Sequence, residues 1–189
     1  MKRSILASLF FVFLPAALVP AHAQVAPSAN ARTFALNAGG FGSVFQPDYA
    51  GNGYAQTSPN RLYGLGAYVD TRFNRWLAIE AETRWMRINQ YAPAGGFSNG
   101  EDTYSIGPMV PIVTIHRFTP YGKFLVGFGT ADFLSSKTPV LTYGGGVDYR
   151  LSRRWTLRAF DFEYQQWTEI KNATLWPYGG SVGLSYRIF

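Results

Sequence analysis

The 189-residue sequence contains no cysteine, which excludes a disulfide framework, a thiolate metal site and a lipid-anchoring thiol. Histidine is nearly absent: of the two present, His22 lies near the N-terminus and His116 stands alone in the middle of the chain. No Gly-rich phosphate cradle, metal-spaced His/Asp cluster or nucleophile elbow occurs, so the sequence assigns no catalytic residue, no metal ligand and no cofactor. Charged residues form only 15% of the chain and are scattered along it. Nucleic-acid binding would require clustered base charge, so no such partner is expected. After the first two dozen residues no long apolar run appears, and a helical membrane span is therefore not expected there.

What is present begins with a leader. Lys2 and Arg3 precede an apolar stretch from Ile5 to Val19, and Ala21-His22-Ala23 offers a small-x-small cleavage site. Residues 1–23 are expected to be a signal peptide that is cleaved on export, 24–32 an N-terminal linker, and 33–189 a single domain. The formal charge of +6 falls to +4 once Lys2 and Arg3 depart.

Aromatic residues make up 17% of the chain, and with so few charges this suits alternating strands better than amphipathic helices. From Thr33 onward, segments of about ten residues alternate in character between stretches rich in Gly, Asn, Ser and Pro, the pattern of a membrane barrel. Eight strands are predicted, near 34–45, 62–72, 76–87, 103–110, 121–129, 140–151, 155–167 and 178–189. Their connectors alternate between long (46–61, 88–102, 130–139, 168–177) and short (73–75, 111–120, 152–154), as extracellular loops and periplasmic turns do. The reading is all-β: a transmembrane, antiparallel, up-and-down barrel.

Strand side chains alternate between two faces, and the charges respect that alternation. Leu65, Ala67 and Val69 share one parity while Asp70 and Arg72 share the other. Likewise Phe160, Phe162 and Tyr164 oppose Asp161 and Glu163, and Val182 and Leu184 oppose Arg187. The apolar face carries no charge and suits lipid; a soluble lipocalin-like barrel would have the reverse pattern. Aromatics at strand ends predict two interfacial girdles: Phe73, Trp76, Phe118 and Trp155 by the short turns, Tyr63, Trp85, Tyr104, Trp167 and Tyr178 by the long loops. Pro108 in the fourth strand lacks a donor, which predicts a short or bulged strand there. The run Val69-Asp-Thr-Arg-Phe-Asn-Arg-Trp76 echoes Val147-Asp-Tyr-Arg-Leu-Ser-Arg-Arg-Trp155 with one insertion, and either duplication or convergent turns would account for it.

The alternation, the leader and the ending Val182-Gly-Leu-Ser-Tyr-Arg-Ile-Phe189 resemble the small OmpA/OmpX-like outer-membrane barrels, the outer membrane protein beta-barrel domain group. The resemblance covers nearly the whole mature chain. It implies an eight-stranded barrel in the bacterial outer membrane, with membrane lipid as its surroundings. It also implies insertion by the outer-membrane assembly machinery, with Phe189 as the C-terminal aromatic of the insertion signal. In that family a second aromatic usually stands two residues earlier, where this chain has Arg187.

The predicted inward charges are Asp70, Arg72, Glu80, Glu82, Arg84, Lys123, Asp148, Arg150, Asp161, Glu163 and Arg187, six acids against five bases. Because an unpaired charge is costly in a lumen without bulk water, the set reads as a structural, hydrogen-bonded plug that fixes strand register. Lys123 is the sharpest case, since on the lipid face it would cost roughly 2–4 kcal/mol. The pairs Glu80/Glu82 and Asp161/Glu163 could be imagined as acid/base couples, but no substrate cleft accompanies them. A narrow channel lined by the same charges is the first alternative, and a lipid-modifying enzyme the second. The latter would need a nucleophile beside a histidine near the outer leaflet, whereas His116 falls in a short connector. The long loops, with Tyr49, Tyr54, Tyr91 and Phe97, are candidate surfaces for an extracellular ligand, an inert role being the simpler reading.

Overall fold

The structure is a computed structural model that describes residues 34–48, 61–88, 100–132, 136–170 and 173–189. The leader, the linker, most of the loops at 46–61 and 88–102, and the four loop aromatics lie outside the described residues. The strands are β1 (Ala35–Gln46), β2 (Leu62–Arg72), β3 (Ala78–Ile88), β4 (Gly100–Pro111), β5 (Phe118–Ala131), β6 (Thr138–Arg150), β7 (Trp155–Ile170), β8 (Ala173–Leu175) and β9 (Tyr178–Arg187). Each long strand pairs antiparallel with the next, and β1 pairs with β9 to close the ring. Eight strands form the barrel wall; the three-residue β8 only extends the long-loop end of β7. The described residues contain no helix.

Burial alternates along most of the barrel strands. In β2, Leu62, Gly66, Tyr68 and Asp70 are buried while Tyr63, Leu65, Ala67 and Val69 are exposed. The outer face is a band of large apolar side chains such as Ile79, Ile106, Val126, Phe162 and Val182. Among the described residues the one ion pair on this face, Arg87–Asp102 at 2.7 Å, lies at the long-loop end. Ring pairs mark both borders: Phe118 with Tyr149 and Trp155 with Tyr186 near the short turns, Tyr104 with Phe128 and Tyr164 with Trp176 near the long loops. Trp167 corrects the expected girdle. It shares the inward parity of Asp161 and Glu163 and is 1% exposed, and Trp176 takes the outer position instead.

Glycine on the inner wall makes room for the rings. A Cβ at Gly66 or Gly183 would strike Phe41, and one at Gly129 would strike Trp167. The Gly144-Gly145-Gly146 run has the same cause in part: a Cβ at Gly144 would press on Lys123 and Glu163, and one at Gly146 on Tyr121.

The two echoing turns are built alike. Asn74 Oδ1 accepts from the amides of Trp76 and Leu77, and Ser152 Oγ from those of Arg154 and Trp155. Phe73 and Asn74 donate their amides to the Leu77 carbonyl as Leu151 and Ser152 donate to that of Trp155. The turns therefore superimpose without an insertion, Trp155 standing where Leu77 stands. The third turn is tighter: Ile115 and Phe118 exchange backbone hydrogen bonds across His116, which adopts φ 57°.

Two strands differ from expectation. β4 is neither short nor bulged at Pro108; it runs for 12 residues, and Pro108 faces outward. The missing donor appears as a gap in the β4–β5 ladder at Gly107 and Pro108, which resumes at Met109 in the same register. The bulge lies in β7, whose register shifts against both neighbours between Arg158 and Asp161.

Candidate functional site

The barrel interior is stratified. Nearest the long loops it is filled by Ala131, Val140, Trp167 and Leu175 and by Phe45, Leu62 and Met86. Nearer the short turns it is filled by Ala78, Met109 and Tyr121. Between these apolar layers lies a buried ion cluster.

Lys123 on β5 is its centre. The ammonium contacts Glu80 Oε1 at 3.0 Å and Glu82 Oε2 at 3.0 Å on β3, and Asp161 Oδ2 at 2.7 Å and Glu163 Oε1 at 2.6 Å on β7. One side chain thus ties three strands. Arg84 grips Glu163 with two guanidinium nitrogens, at 2.5 and 2.9 Å, and lies 3.3 Å from Glu82. Its other flank is aromatic, with Phe45 and Phe41 centroids at 4.5 and 4.9 Å. A hydrogen-bond chain runs on from Glu163 to Gln165 at 3.5 Å and from Gln165 to the Trp167 indole at 3.0 Å.

A third cation completes the cluster and was not foreseen. Arg158 reaches Glu80 at 2.5 Å, Asp148 at 3.5 Å and Asp161 at 3.7 Å, its guanidinium lying 3.9 Å from the Tyr68 ring centroid. Strict alternation would put Arg158 outward with Phe160. The one-residue bulge at Ala159 turns it inward, and an extra residue that reverses parity is what a bulge supplies. With Arg158 the inward bases number six, and the buried Glu101 at the long-loop end of β4 brings the inward acids among the described residues to seven. The signal available in the sequence was the roughly 2–4 kcal/mol that an arginine on the lipid face would cost.

Of the eleven predicted inward charges, Glu80, Glu82, Arg84, Lys123, Asp161 and Glu163 meet in the cluster, and Asp148 touches it through Arg158. Asp70 is held apart, accepting a 2.7 Å bond from Asn37. Arg72, Arg150 and Arg187 lie lower, lining a cavity of about 20 Å³ at the short-turn mouth with Asp70 and Asp148. The charges scattered along the sequence are therefore gathered in space. Each short turn brings arginines to the same end, where Arg75, Arg117, Arg153 and Arg154 are exposed.

Chemically, the carboxylates of Glu82, Asp161 and Glu163 have ligand oxygens within 4.8 Å of one another, a spacing that suits a cation. The Lys123 ammonium is that cation. Both carboxylate pairs considered as acid/base couples are spent on the same lysine and are closed off by the apolar layers. His116 sits exposed in the β4–β5 turn, at the end opposite the long loops.

The family described as outer membrane protein beta-barrel domain matches residues 11–187. Among curated proteins none matches the sequence. Solved structures with the same architecture include Neisserial surface protein A, 13% identical with a TM-score of 0.58, covering 82% of this chain and 96% of that one. The N-terminal β-barrel domain of OprF from Pseudomonas aeruginosa is 9% identical with a TM-score of 0.52, covering 82% and 97%. Ail, the attachment invasion locus protein of Yersinia pestis, solved with the heparin analogue sucrose octasulfate, is 18% identical with a TM-score of 0.50, covering 82% and 97%.

Proposed function

Since the chain belongs to the outer membrane protein β-barrel domain family, whose place is the bacterial outer membrane, we propose that it serves as a closed structural barrel with a lumen plugged by its own compensating charges. The observation that carries this reading is the position of Lys123, whose ammonium bonds four carboxylates from two strands at 2.6 to 3.0 Å. In a water-poor interior such an arrangement satisfies charges that would otherwise be costly, and it fixes which residues face one another across the barrel. Apolar layers above and below it speak against a continuous water path, and eight-stranded barrels are generally filled by their side chains. The isolation of His116 at the short-turn end speaks against a lipid-modifying enzyme acting near the outer leaflet. Export by a cleaved leader at 1–23, a linker at 24–32 and recognition of Phe189 by the assembly machinery complete the proposal.

Planar-bilayer recording tests it. The purified barrel is expected to give no sustained current, and steady conductance steps that scale with salt would replace the plug with a pore.

A further inference from the structure

Five of the arginines at the short-turn end have no assigned work. Arg154 donates to the Tyr186 hydroxyl at 2.7 Å, and Arg75 lies over Trp76. By contrast, among the described residues no side-chain ion pair or hydrogen bond engages Arg72, Arg117, Arg150, Arg153 or Arg187. Two of the five are partly enclosed: Nε of Arg72 and Nε of Arg187 are buried and donate to nothing. A buried charged donor without an acceptor is expensive, so an acceptor from outside the chain would be bound there with profit to both.

The setting leaves room for one. The 20 Å³ cavity lined by Arg72, Arg150 and Arg187 shares Arg150 and Arg187 with a wider recess of about 480 Å³, whose rim is Arg117 and Arg153. Two carboxylates also line the inner cavity: Asp148 lies 3.5 Å from Arg158, and Asp70 accepts a bond from the neutral amide of Asn37, so the five arginines leave the mouth with an excess of positive charge. We propose that this mouth is a binding site for a phosphate group, with Arg72, Arg150 and Arg187 as the inner donors and Arg117 and Arg153 as the rim.

Phosphate fits better than carboxylate because several guanidiniums converge. One carboxylate is satisfied by a single bidentate arginine, whereas a phosphate presents further oxygens to additional forks. The group can arrive on a soluble phosphate compound or on a phospholipid headgroup. The interfacial ring pairs Phe118–Tyr149 and Trp155–Tyr186 stand beside the recess, at the level headgroups occupy.

The test is NMR of the arginine Nε–Hε groups of the full barrel in dodecyl maltoside, a detergent without phosphate. Titration with inorganic pyrophosphate is expected to shift the Arg72 and Arg187 signals saturably, which assigns a soluble ligand. The same shifts on adding phosphatidylglycerol, with none on adding pyrophosphate, assign the headgroup. The double variant Arg150→Gln, Arg187→Gln should raise the dissociation constant by roughly tenfold or more. If that variant does not fold, the exposed Arg150→Gln alone carries the comparison. Shifts reproduced by sodium chloride at equal ionic strength, no shifts with either probe, or shifts insensitive to the substitutions would overturn the proposal.

Discussion

The middle of the lumen and its short-turn mouth use the same charged groups to opposite effect. In the middle, Lys123, Arg84 and Arg158 each meet two or more carboxylates, and aromatic rings cover the two guanidiniums. At the mouth the arginines outnumber the acids beside them, and they stay unengaged where the wall opens. The difference follows from the reach of water. A charge with access to solvent can be hydrated or take a partner from outside the chain, whereas one sealed between apolar layers must be paired from within or the fold loses several kcal/mol. Residue type alone therefore does not separate a plug from a mouth; enclosure does.

That contrast can be broken hardest at its centre. Lys123→Ala leaves four carboxylates facing one another and should destabilise the barrel by about 3–5 kcal/mol, the cost of orphaning a buried charge. It would be read as a lower urea midpoint and loss of the fast-migrating band on unheated gels. Unchanged stability would mean that the cluster bears none of the fold. Deleting Ala159 removes the bulge and returns Arg158 to the outer face, at about 2–4 kcal/mol. The same urea titration checks it, and a null result would show that the chain slips register at the 151–154 turn instead. Arg150→Gln at the mouth sharpens the comparison from the other side: its stability should stay within about 0.5 kcal/mol of the parent. A loss comparable to that of Lys123→Ala would erase the distinction between the two regions.

The barrel was legible in the sequence because its surroundings are uniform. Lipid imposes the same requirement on every outward position, so Leu65, Val126 and Val182 declare their face without knowledge of the fold, and Lys123 declares the other. The strand termini were less legible. β4 and β5 run one to three residues past the expected limits because backbone pairing continues beyond the apolar band that marks them in sequence. The bulge at Ala159 was invisible to composition, since one extra small residue alters no pattern except the parity on either side of it. Arg158 was lost with it. Trp167 lies near a strand end, as girdle residues do, but its parity with Asp161 and Glu163 places it inside. Gathering of the mouth arginines required the topology, as Arg72, Arg150 and Arg187 belong to three different strands.

Closure of β1 onto β9 has a consequence for how the molecule comes apart. An open sheet has outermost strands from which unzipping can start, whereas a circular ladder offers no such place. Loosening any single strand breaks two neighbouring ladders at once, so unfolding should be abrupt and the native form slow to denature. The joint itself is poor in bulk, with Phe41 opposite Gly183 and Phe45 opposite Gly179. Backbone bonds and the 2.8 Å contact between the Ser43 and Ser181 hydroxyls hold that seam, and because it joins the strands farthest apart in sequence, it is the pairing that closes the longest loop.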